Sequence, residues 1–155
     1  MKEIDTYIIE KLHLNKDINK VVYNYHPKDR DELCSLILKL LKERGYDAYL
    51  NDIDTSKITD MSHLFKGLDP HKIDISKWNV SNVKDMYGMF YNCSNFNCDL
   101  SEWNVSNVTD IRFMFSWCKD FDSDLSKWDV SNVKDMDDMF YKCDSLKNRP
   151  SWYHG

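Results

Sequence analysis

The chain is predicted to fold as an α/β repeat solenoid: about four 25-residue coils with short parallel strands, closed by a helical N-terminal cap. Three observations predict it. Trp78, Trp103 and Trp128 stand 25 residues apart, and so do Phe65, Phe90, Phe115 and Phe140. The stretch "DISKWNVSNVKDMYGMFYNCSNFNC" returns as "DLSEWNVSNVTDIRFMFSWCKDFDS" and again as "DLSKWDVSNVKDMDDMFYKCDSLKN". A fixed period of this length means stacked units, each burying its apolar face only against its neighbour.

The organisation follows the period: residues 1–49 as a cap segment, 50–149 as four repeats, and 150–155 as a truncated fifth coil. In the opening segment, Ile4, Tyr7 and Ile8 suit a short helix over residues 3–11, and "VVYNY" suits a strand. Pro27 precedes a capping-box-like Asp29-x-x-Glu32. Leu33, Leu36, Ile37, Leu40 and Leu41 then form one apolar stripe and Gly45 supplies a stop. This predicts a helix over roughly residues 29–44 that covers the first coil.

Within the repeats, the leading apolar position holds Leu50, Ile75, Leu100 and Leu125. Ile53 and the three tryptophans follow, then Thr55, Val80, Val105 and Val130, then Ile58, Val83, Val108 and Val133. Trp and Val two apart share one face of a strand, so each coil is expected to place a short strand in a parallel ladder. After it comes Asp-Met-x-x-Met-Phe, as in Asp85-Met86-Met89-Phe90, with Asp60, Asp110 and Asp135 opening the other copies. Apolar residues at i, i+3 and i+4 suit a short helical turn, with the Asp as its N-cap. Pro150 replaces the leading Leu in "NRPSWYHG" and blunts the edge.

The repeats W-[ND]-V-S-N-V-[KT]-D-[MI]-x-x-M-F-x-x-C at residues 78–93, 103–118 and 128–143 resemble the BspA-type leucine-rich repeat family. That family occurs in bacterial surface proteins and in many uncharacterised bacterial, mycoplasma and phage-associated proteins. The resemblance implies a leucine-rich-repeat-like stack and, by family habit, adhesion or protein binding. Fold analogy by itself assigns no function.

Charge and cysteine usage narrow the classes. The first fifty residues are neutral, nine Lys/Arg against nine Asp/Glu, so the net charge of −5 lies in the repeats. An acidic array repels phosphates, and direct nucleic-acid binding is not expected. Cys34, Cys93, Cys98, Cys118 and Cys143 are an odd set, three of them in one repeat position that holds Leu68 in the first coil. They read as reduced, buried thiols rather than as a disulfide framework or a zinc site. The start "MKEIDTYIIEKLHLNKD" does not read as a signal peptide, and no membrane-span run is present, so a cytoplasmic location is expected.

No catalytic, cofactor or metal site is expected. His13, His26, His63, His71 and His154 share no repeat register, and no G-x-S-x-G, H-E-x-x-H or phosphate loop occurs. Asp120, Asp122 and Asp124 lack the Gly and Glu that a calcium loop needs, since Leu125 and Ser131 stand there. Asn82, Asn107 and Asn132 are expected to bond backbone at tight bends, and Lys77, Glu102 and Lys127 to form a cross-strand charge ladder.

One group breaks the repeat. The third coil carries Phe113 and Trp117 where the fourth has Asp138 and Lys142. Tyr87, Tyr91 and Tyr141 come from the neighbouring coils and Arg112 stands beside them. Met114 and Phe115 already fill the core slots, so the extra aromatics predict a surface for a protein partner of unspecified identity. A cover by the N-terminal segment is the competing reading, and self-association is allowed. The expected function is a non-enzymatic protein-binding module. An acidic, phage- or mobile-element-encoded inhibitor of a nucleic-acid enzyme and a fragment of a cell-surface adhesin are the alternatives.

Overall fold

The computed structural model describes residues 23–154. The helix expected over 3–11 lies outside the described residues, as do Val21 and Val22 of "VVYNY"; the rest of that segment forms no strand, and Tyr25 makes one isolated bridge to Ile53.

Helix α1 runs Arg30–Arg44. Asp29 accepts the Glu32 N–H at 2.9 Å, while the Glu32 carboxylate reaches back to the Lys28 N–H, also at 2.9 Å. Gly45 closes the helix at φ +87°, its N–H on the Leu41 carbonyl. Leu33, Ile37, Leu40 and Leu41 are buried in the same core as the repeats, with Leu36 partly buried. The helix is tied to the first coil at both ends. Arg30 Nε donates to the Ser62 carbonyl at 2.7 Å, and Arg44 pairs with Asp52 and caps the Tyr49 carbonyl.

The expected α/β solenoid of strand-bearing coils is overturned. Among the described residues α1 is the one helix, and no strand or sheet forms; pairing is confined to isolated parallel bridges such as Asp60 with Asp85, Asp85 with Asp110 and Asp110 with Asp135. The Asp-Met-x-x-Met-Phe segments are turns, not helical turns. The physical reason lies in short side chains that bond their own backbone. In the second coil Asp74, Asn79 and Asp85 each accept the N–H two residues on, from Ser76, Ser81 and Tyr87. These Asx turns recur with the repeat, at Asp99, Asn104 and Asp110 and again at Asp124, Asp129 and Asp135. Between them, hydrogen bonds from residue i+3 to i fold the chain again, Trp78 to Ile75 and Val83 to Val80. Too few consecutive extended residues remain to make a strand.

The 25-residue copies nonetheless lie one upon another. Phe65, Phe90, Phe115 and Phe140 stack with centroids 5.3, 5.5 and 5.9 Å apart and rings within 7° of parallel. Phe96 and Phe121 form a second column, 4.0 and 4.1 Å from Phe90 and Phe115. The tryptophans are buried, and each satisfies its indole N–H on a carbonyl of the preceding coil: Trp78 on Leu50, Trp103 on Ile75 and Trp128 on Leu100, at 2.9, 3.2 and 3.0 Å. Trp152 continues this column from one register earlier, donating to the Leu125 carbonyl and stacking on Trp128. Pro150 is buried beneath the Trp152 turn rather than blunting an edge strand.

Two expectations about polar columns change. Asn82, Asn107 and Asn132 bond backbone, but that of the preceding coil, at Ser56, Ser81 and Ser106. Lys77, Glu102 and Lys127 are exposed and make no ion pair among the described residues, because no strand holds them opposite one another.

Candidate functional site

The segment that carries the aromatic group is a run of three overlapping turns. Met114 N–H bonds Ile111 C=O, Ser116 N–H bonds Phe113 C=O, and Cys118 N–H bonds Phe115 C=O. Positive φ falls at the third residue of the first and last turns, Phe113 at +55° and Trp117 at +65°, which makes both type II. The other coils put His63 and Gly67, Gly88 and Asn92, and Asp138 and Lys142 at the same two places. Gly, Asn and Asp suit the left-handed region; a bulky aromatic there costs about 1–2 kcal/mol. Phe113 and Trp117 are four apart not as neighbours on a helix but as the left-handed corners of two turns.

Their side chains enter two separate groups. Phe113 meets Tyr87 edge-on at 5.8 Å and Tyr91 at 6.5 Å, and His63 extends this group by packing edge-on against Tyr87 at 4.8 Å. Trp117 meets Tyr141 edge-on at 5.7 Å. No ring contact joins the two groups among the described residues. Trp117 is 36% exposed and Tyr141 47%, whereas Phe113, Tyr87 and Tyr91 are half-buried.

Cations sit over the rings: Arg112 over Tyr87 at 5.0 Å, Lys66 over Tyr91 at 5.5 Å and Lys142 over Tyr141 at 5.8 Å. Arg112 is held by Asp110 at 2.6 Å and Asp135 at 3.4 Å. Its hydrogen bonds to Asp110 push its pKa further up, so its charge is permanent and internally balanced. Arg112 therefore braces Tyr87 more than it offers an unpaired charge. His63 and Lys66 were not picked out by sequence. Their signal was register: the first coil places them where the next has Gly88 and Tyr91.

The thiols belong to the core. Cys93, Cys118 and Cys143 place Sγ at 2.9–3.0 Å from the carbonyls of Phe65, Phe90 and Phe115, and all five cysteines are free. Burial pushes the Cys93 and Cys143 thiols up to about 12, the Cys98 thiol up to about 11, and Cys118 further still. Asp122 accepts the Lys147 N–H one repeat later and so ties two coils, while Asp124 accepts the Ser126 N–H in a local turn. Among the described residues no three His, Cys, Asp or Glu side chains converge on a metal-sized site, and no helix is long and apolar enough to cross a membrane.

No curated protein and no solved structure matches the chain. The family described as "Mycoplasma protein of unknown function, DUF285" matches residues 39–153, which takes in the last six residues of α1, all four coils and the Trp152 turn. With that much of its length inside the match, the chain belongs to the DUF285 family.

Proposed function

We propose that the protein is a non-enzymatic binding module whose face around Phe113 and Trp117 docks a protein partner. The observation that supports this most is an aromatic at both left-handed corners of one coil. Sister coils place Gly, Asn or Asp at four of these corners and His63 and Lys142 at the other two, whereas the third coil fills both with Phe113 and Trp117. Strained positions persist where the strain serves a site. Exposed Trp117 and Tyr141 also have the aromatic composition of interface hot spots. The W-[ND]-V-S-N-V pattern supports the finer placing of this family member among BspA-type repeats. Five free thiols support work in a reducing compartment.

The test is paired affinity capture from cells that naturally carry the protein, using the native chain and the double variant Phe113→Gly, Trp117→Asn, which borrows the residues of the second coil. A protein captured by the native chain and lost by a variant of unchanged melting temperature is the expected result. Equal capture by both removes this face from the binding function.

A further inference from the structure

The turn runs are joined in an unusual way. Met61, His63, Phe65 and Gly67 donate their N–H groups to the carbonyls of Asp85, Tyr87, Met89 and Tyr91 in the next coil. Met86, Gly88, Phe90 and Asn92 donate in turn to Asp110, Arg112, Met114 and Ser116, and Ile111, Phe113, Phe115 and Trp117 to Asp135, Asp137, Met139 and Tyr141. The carbonyl of Asp85 and the N–H of Met86 belong to one peptide unit. Four parallel strings of peptide dipoles therefore run along the stack, aligned head to tail as in a helix, with their positive ends at the fourth coil.

There the strings stop among the described residues. The N–H groups of Met136, Asp138 and Lys142 point onward and meet no acceptor among the described residues, while Phe140 is already buried under Trp152 and Tyr153. The apolar columns are uncovered at the same end. Val105, Val108 and Ile111 are buried, but their successors Val130, Val133 and Met136 are only partly so. Trp152 and Tyr153 cover the Trp128 and Phe140 side, where Met139 and Phe140 are buried, and leave Val133 and Met136 partly exposed.

We propose that this end is a second docking surface, which takes a repeat coil of the same build presented by a different chain. The row of donors selects the occupant. A β-strand edge alternates donors and acceptors and satisfies only part of the row. A free anion is disfavoured by the exposed Asp137 and Asp138. A coil of this kind offers carbonyls from alternate residues in matching register, as Asp110, Arg112, Met114 and Ser116 do, and carries the Val and Met columns that cover Val133 and Met136. A second copy of this chain is a poor fit. Two-fold pairing sets donors against donors, and at the far end α1 lies over the first coil with Arg30 already on the Ser62 carbonyl.

Amide hydrogen exchange tests this in three arms. In the native protein Met136, Asp138 and Lys142 should exchange ~100-fold or more faster than Ile111, Phe113 and Trp117, as unbonded edges do. Repeating residues 119–143 immediately after Cys143 adds a fifth coil and should slow the three amides to third-coil rates. A synthetic peptide of residues 101–125, added in excess to the native protein, should slow the same three amides about tenfold by folding onto the edge. It should fail on Val133→Asp, Met136→Asp. Slow exchange in the native protein at every concentration overturns the proposal, because the edge is then already satisfied. Slowing that grows with protein concentration and no added peptide assigns the edge to a second copy. Protection by the inserted coil but not by the peptide restricts the edge to its own chain, and either outcome sinks docking of a different chain.

Discussion

The imidazole of His63 lies over Gly88 so closely that a Cβ there would stand 2.8 Å from Nδ1. Gly88 is also at φ +56°, one of the two left-handed corners of its coil. Gly88→Ala should therefore lose roughly 1–2 kcal/mol from the backbone and a further ~1–3 kcal/mol from overpacking. Adding His63→Ala should recover the packing part and leave the backbone part. Urea denaturation of the single and double variants separates the two, and equal losses would show that the ring contact is not the obstacle.

The same histidine sets a pH dependence. Burial holds the His63 pKa below its ordinary 6.5, helped by the charges of Lys66 and Arg30, while Asp85 opposes them. Its Nδ1 is buried without a hydrogen-bond partner among the described residues. With the folded value below the unfolded one, stability is full above the unfolded pKa and falls as pH drops through about 6.5 toward the folded value. His63→Gln should flatten that limb. An identical slope between pH 7 and 5 in both proteins would exclude His63 as its source.

A separate acid limb belongs to the Asx turns. The Ser101 N–H holds the Asp99 carboxyl below its ordinary 3.8, and the Ser126 N–H does the same for Asp124. A depressed carboxyl contributes stability that is present above the unfolded pKa and is lost as pH falls through the folded value. Asp99→Asn keeps the turn acceptor, so it should shift acid unfolding to lower pH with little change at neutral pH. A large loss at pH 7 would mean that the charge, not the turn bond, is needed.

Trp103 combines burial with a hydrogen bond to the Ile75 carbonyl. Trp103→Ala should cost about 3–5 kcal/mol. Trp103→Phe removes the indole N–H but leaves the Ile75 carbonyl on the Trp78 N–H, so it should cost less, about 0.5–1.5 kcal/mol for the lost hydrogen bond. Chemical denaturation measures both, and an Ala loss under about 1 kcal/mol would contradict the column's place in the core.

Thiol reactivity should follow burial. Cys118 and Cys93, fully buried, should label slowest, and the partly exposed Cys143 sooner, until denaturant makes them equal. Mass spectrometry of timed alkylation gives the order, and rapid labelling of Cys118 in the folded protein would be inconsistent with this packing.

How much of this was legible in the sequence depends on which residues carried the signal. The 25-residue period announced the Phe65 to Phe140 and Trp78 to Trp128 columns because the same large aromatic recurs at each 25th position along them. Asp29, Glu32 and Gly45 marked both ends of α1 by local capping chemistry. The strands and outer helices failed because Met-x-x-Met-Phe is ambiguous: apolar residues at i, i+3 and i+4 also fit a type II, type I, type II turn run. Gly67, Gly88, Asn92 and Asp138 were the evidence for that run, all residues that tolerate positive φ. At the candidate site, the departure of Phe113 and Trp117 from the repeat was visible in sequence. Their separation into a Tyr87 group and a Tyr141 group depended on turn geometry and was not.

The measurement that tests the central claim most directly is the stability of Phe113→Gly, Trp117→Asn against the native chain in urea. If these aromatics serve recognition and not folding, relief of two strained corners offsets the lost ring contacts, and the midpoint stays within about 1 kcal/mol or rises. A loss greater than about 3 kcal/mol would make Phe113 and Trp117 part of the core and contradict the account.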